Sequence, residues 1–115
     1  MIQMQTGSLV LRGFKPALPL TELIWLEGNG NYSLLHMKEG PAVMMAKTLA
    51  RWQRMLPDFV RISRGALVNP RHVVDLRRIS TYHVQITLTN GKVLPVARRR
   101  ISQVFKIIQD TGKVS

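Results

Sequence analysis

A chain of 115 residues fits one domain with its own hydrophobic core, and the absence of cysteine excludes disulfides and thiolate metal sites and fits a cytoplasmic setting. No apolar run approaches the roughly 20 residues that a membrane helix needs. Seventeen Lys and Arg oppose six Asp and Glu, and residues 51–100 carry eleven of those cations against two acids, which predicts one electropositive face for a polyanion, either nucleic acid or an anionic membrane.

The amino terminus lacks the basic and apolar regions of a secretion signal. Within residues 1–17, Leu9-Val10-Leu11 predicts a short strand, and Phe14 to Pro19 is a loop broken by Pro16 and Pro19. Ile24-Trp25-Leu26 has the β-branched and aromatic character of a strand. Gly28-Asn29-Gly30-Asn31 is a turn signal, and Tyr32 to Met37 then suits a strand partly buried on both faces. Lys38-Glu39-Gly40-Pro41 reads as a hairpin loop, with Ala42 to Met45 as the returning strand. Thr48 is positioned as the N-cap of a helix in which Leu49, Trp52 and Leu56 recur at helical spacing, and Pro57 ends it. Trp52 lies in that apolar stripe and reads as core, as do Trp25 and the Met44-Met45 pair.

Residues 58–76 are the densest in chemistry. Phe59-Val60-Ile62 and Val73-Val74-Leu76 read as apolar segments that pin the feet of a loop. The loop carries Arg61, Arg64 and Arg71 with Ser63, Asn69 and His72, and is punctuated by Gly65 and Pro70. Arginine at such a tip offers a fork of donors to phosphate or to a guanine edge.

Val73 to Ile79 should be a strand, and Val84, Ile86 and Leu88 alternate with Gln85, Thr87 and Thr89 as a strand with one wet face. Asn90-Gly91 predicts a hairpin with a type I′ turn, returning through Lys92 to Val96. Ile101, Val104, Phe105 and Ile108 predict a closing helix, and residues 111–115 a frayed tail. The sum is a mainly β chain with short helices.

Catalysis finds little support. His36, His72 and His83 have no metal-ligand spacing, the carboxylates form no acid/base pair, and no Walker loop or dinucleotide fingerprint is present. The expectation is a protein without a cofactor, metal or enzymatic activity. Binding is better served, because three loops share one character. Gly28 to Asn31 is small and amide-rich, the loop at Arg64 presents guanidinium, and Arg98-Arg99-Arg100 stands where a strand gives way to a helix. Positive charge at a helix start opposes the helix dipole and makes sense if phosphates lie opposite.

In order and spacing these pieces resemble the LytTR domain, a bacterial DNA-binding module of two-component response regulators. The resemblance rests on Ile24-Trp25-Leu26-Glu27-Gly28-Asn29-Gly30-Asn31-Tyr32, on Thr48-Leu49 with Leu56-Pro57, on Phe59-Val60-Arg61-Ile62-Ser63-Arg64 with Val68-Asn69, and on Asn90-Gly91 followed by Leu94-Pro95-Val96-Ala97-Arg98-Arg99. It implies a domain over residues 18–110 built as an elongated arrangement of small β-sheets that inserts loops into successive major grooves. By resemblance, Asn31, Arg64 and Arg98 read bases, while Ser63, Gly65, Arg71, Arg99 and Arg100 hold phosphates, and Arg61 and Asn69 brace the central loop. The family pattern often has His-Arg-Ser where this chain has Ser63-Arg64-Gly65, and Ser where it has Ala97, which bears on sequence preference.

The resemblance further implies a cytoplasmic transcriptional regulator on double-stranded DNA, on paired direct repeats, with a second copy on the same site. The residues ahead of residue 18 are too few for a receiver domain, which is expected in trans or outside this sequence. An RNA or general polyanion binder without sequence readout would draw on the same basic surplus.

Overall fold

The computed structural model describes residues 3–5, 8–10 and 19–109. Strands β1 (Gln3–Gln5) and β2 (Ser8–Val10) pair antiparallel as a two-stranded sheet. The predicted strand at Leu9-Val10-Leu11 coincides with β2, whereas Leu11, residues 14–18 and the predicted tail lie outside the described residues.

The body of the protein is two antiparallel sheets. One holds β3 (Leu23–Asn29), β4 (Tyr32–Met37), β5 (Val43–Met45), β6 (Val60–Ser63) and β7 (Ala66–Val68), in the order β5-β4-β3-β7-β6. The other holds β8 (Val73–Ser80), β9 (His83–Leu88) and β10 (Val93–Pro95), in the order β10-β9-β8. Helix α1 (Leu49–Met55) connects β5 to β6, and α2 (Ile101–Gln109) follows a 3-10 turn at Arg98–Arg100. The result is elongated, 43 × 28 × 23 Å.

Two cores lie on opposite faces of the five-stranded sheet. Leu23, Leu26, Leu35 and Leu67 pack with Leu49, Trp52 and Leu56 of the α1 segment. Ile24, Trp25, Val60, Ile62 and Val68 pack instead with the three-stranded sheet and with Ile101, Val104 and Ile108 of α2. Burial of both faces explains why Leu23 to Leu26 is an unbroken apolar run instead of an alternating one. A register shift between Leu23 and Trp25 gives β3 a bulge, which sets Ile24 and Trp25 in the same core. Thr48 caps α1 by accepting from Arg51 N at 3.3 Å, and the helix ends before Pro57 as expected.

The structure corrects three local expectations. Ala66–Val68, placed within a loop from the sequence, is a strand buried at every residue. It lies between β3 and β6, and its two faces are covered by separate cores, one built with the α1 segment and the other with the three-stranded sheet and α2. The Asn90-Gly91 hairpin does not use a type I′ turn, because only Gly91 has positive φ (+85°). Instead Gly91 N donates to Leu88 O, Asn90 Oδ1 accepts from Lys92 N, and the loop is one residue longer. Met44 is not core; it is exposed on β5, while Trp25 and Trp52 are buried.

Candidate nucleic-acid interface

The first turn joins β3 to β4. Asn29 pairs with Tyr32, so Gly30 and Asn31 form a two-residue connection, and Gly30 takes the positive φ (+61°) that its first position requires. This geometry leaves Asn31 exposed at the sheet end.

The second turn joins β6 to β7 through Arg64 and Gly65, with Ser63 opposite Ala66. Arg61 fixes its shape. Its Nε donates to Ser63 O at 2.7 Å, Nη2 to Arg64 O at 2.6 Å, and Nη1 to Gln53 Oε1 at 2.8 Å. These bonds engage all three nitrogens of Arg61, while the Arg64 side chain is left exposed. Gly65 has no positive φ, and a Cβ there would meet nothing within 4 Å, so the fold itself does not demand glycine.

The first two turns lie side by side. Glu27 on β3 pairs with Ala66 on β7, and Gly28 N donates to Gly65 O at 2.9 Å. Together with the start of α1 they line a cleft of ≈ 520 Å³, bordered by Gly28, Gly30, Thr48, Arg61, Arg64 and Gly65 among others. Gly28 matters for close approach: a Cβ would stand 3.2 Å from Leu49 Cδ2.

The third element arrives from the other sheet. Val96 N donates to Val84 O, and Ala97 N donates to Ile62 O at 2.7 Å, which carries the chain onto the free edge of β6 beside the second turn. Arg98–Arg100 therefore follow as a 3-10 turn at the same end. Arg98 and Arg99 are exposed; Arg100 is partly buried, and its Nε is shielded from solvent without a hydrogen-bond partner. Burial first, and the nearby charge of Arg100 second, hold the Arg61 guanidinium below its ordinary pKa. Two like charges thus bear on each other at this end, with Arg61 on the wall of the cleft.

Sequence order along the sheet converts into spacing. With strands ~4.8 Å apart, the first turn, the second turn and Ala97 form a row roughly 17 Å long. The two ion pairs formed among the described residues, Glu27–His36 and Arg77–Asp75, involve none of Arg64, Arg98, Arg99 and Arg100.

The structure thus brings Asn31, Ser63, Arg64, Gly65, Arg98, Arg99 and Arg100 to one end. It does not bring Arg71. Strand β7 intervenes, and Arg71 sits in the Pro70–His72 turn at the opposite end. Asn69 is buried there and braces the chain, its Nδ2 donating to Leu20 O and Leu23 O and its Oδ1 accepting from Arg71 N.

Sequence reasoning missed two contributors, Gln53 and Tyr82. Gln53 steadies Arg61 from α1. Tyr82, at the tip between β8 and β9, lies beneath Arg98, whose Cζ is 3.5 Å from the ring centroid. An aromatic between the polar residues Thr81 and His83, where one predicted strand gives way to the next, was the available signal.

The result is a mainly β domain that gathers on adjoining turns at one end four arginines, Arg64, Arg98, Arg99 and Arg100, that form no ion pair among the described residues. The profile of the LytTr DNA-binding domain family matches residues 16–109, and the chain belongs to that family. Among solved structures it is similar to the LytTr DNA-binding domain of a Bacillus cereus protein described as a methyl-accepting/DNA response regulator. The TM-score is 0.73 at 17% identity, covering 94% of each chain. No curated protein sequence matches the chain.

Proposed function

We propose that this domain is a sequence-specific, non-enzymatic transcriptional regulator module that reads duplex DNA through the turns at one end of its sheets. The observation that carries this reading is the row of turns bearing Asn31, Arg64 and Arg98, beside arginines that no carboxylate pairs with among the described residues. In it, Arg64 and Arg98 fork onto base edges and Asn31 offers an amide to one, while Ser63, Gly65, Arg99 and Arg100 face phosphates. The row is wide enough to straddle the ~6 Å minor groove and set its two ends on the edges of the flanking major grooves. Two such domains would then occupy paired direct repeats.

Arg71 has no place in this contact set, because a duplex lying against the row runs along the other end of the molecule. Selection of bound duplexes from a random pool tests the reading. A shared motif should emerge, and its binding should survive competition by structured RNA and heparin at ~150 mM salt. Recovery of no motif, or equal displacement by heparin, would show that charge alone drives binding.

A further inference from the structure

The Tyr82 turn belongs to none of the contacts just assigned, yet it stands at the same end. Val84 O accepts from Val96 N one residue before Ala97 reaches Ile62, so the β8–β9 tip flanks the arginine turn. Tyr82 is 54% exposed, so hydrophobic burial does not hold its ring in place. The tip around it is braced. Arg78 Nη1 donates to Thr81 O at 2.9 Å, and Ser80 Oγ and His83 Nδ1 share a hydrogen bond of 2.8 Å across the turn. Arg78 in turn lies over the Phe105 ring of α2, 4.9 Å from its centroid, so the tip is anchored to the helix that Arg98–Arg100 lead into.

On this braced tip the Arg98 guanidinium rests against the ring face at 3.5 Å. A guanidinium donates in its own plane, so a ring against one face leaves the N–H edges pointing sideways and outward. A long side chain otherwise loses rotamer freedom when it docks, and a partner that holds it beforehand lowers that cost.

We infer that Tyr82 is a positioning residue for base readout, a stacking platform that holds the Arg98 guanidinium edge-outward before DNA arrives. The role rests on the assignment of Arg98 as a base reader. It concerns the face of the ring, not its hydroxyl, and it predicts an effect on discrimination at the base pair that Arg98 reads.

The test is a set of titrations of Tyr82→Ala, Tyr82→Phe, Arg98→Ala and the Tyr82→Ala/Arg98→Ala double variant. Each uses the duplex recovered from the random pool and single-base-pair variants of it. Tyr82→Ala should lose about two- to fivefold in discrimination at one base pair, the size of an exposed cation–π contact. Tyr82→Phe should keep full discrimination, and Tyr82→Ala should add nothing once Arg98 is already Ala. Because the ring is largely exposed, the Tm of Tyr82→Ala should stay near that of the parent.

The inference is overturned if Arg98→Ala costs discrimination while Tyr82→Ala does not. It is also overturned if Tyr82→Phe falls with Tyr82→Ala, which would assign the hydroxyl a direct DNA contact, or if the two losses add independently. Unchanged discrimination in Arg98→Ala itself would instead remove the base-reading assignment on which this role depends.

Discussion

The two ends of the five-stranded sheet use the same kinds of polar residue for opposite purposes. At the Pro70–His72 end, side chains are consumed by the chain itself: Asn69 bonds to three backbone groups, and the His72 ring bridges Thr21 O and Thr89 Oγ1. At the other end, Arg61 is engaged in the same way, but there it holds the turn that displays Arg64. Among the described residues, Arg98 meets an aromatic face and no carboxylate, and the Nε of Arg100 has no hydrogen-bond partner. Polar groups that the fold has satisfied report on folding. Those it displays are the ones the proposed DNA contact uses, and substitutions should separate the two ends cleanly.

The largest effect should come from the satisfied end. Asn69→Ala leaves Leu20 O and Leu23 O without their side-chain donor in a buried setting. A loss of about 2–3 kcal/mol, or a fall in Tm of about 10–15 °C, is expected from thermal unfolding. The folded fraction should bind DNA as the parent does. Next in size, Arg64→Ala should cost about 1–3 kcal/mol on the selected duplex and relax discrimination at one position. Its stability should change by less than about 0.5 kcal/mol, since that side chain is exposed and makes no hydrogen bond or ion pair among the described residues. A large fall in Tm for Arg64→Ala would erase the contrast between the ends.

Arg100→Ala should weaken every duplex alike and reduce the slope of log K against log salt by about one. A sequence-dependent effect would move Arg100 from phosphate contact to readout. The smallest change is expected for Gly65→Ala. Nothing in the fold opposes a methyl group there, so Tm should hold, while any close passage of a DNA backbone over the turn should weaken binding slightly on all duplexes. Unaltered binding would place that backbone elsewhere.

How much of this was legible in the sequence follows from range of interaction. Helix α1 was readable because Thr48, the apolar spacing and Pro57 are local signals that agree. The turns at Gly30 and Gly91 were readable because glycine supplies the positive φ they need, although Asn90 kept a negative φ and the turn type differed. Strand β7 was not readable, because Ala66-Leu67-Val68 is only three residues long and owes its burial to β3, β6 and two separate cores. For the same reason Arg71 looked like a neighbour of Arg64, when a strand runs between them. The stack of Arg98 on Tyr82 joins residues sixteen apart through a sheet register that no local pattern encodes.

The most direct measurement is a backbone amide NMR map of the domain titrated with the selected duplex. Shifts concentrated at residues 28–31, 63–65 and 97–100, with 69–72 and 89–92 left quiet, are the predicted result. Shifts centred on 69–72 and 89–92, with the arginine turns unmoved, would contradict it.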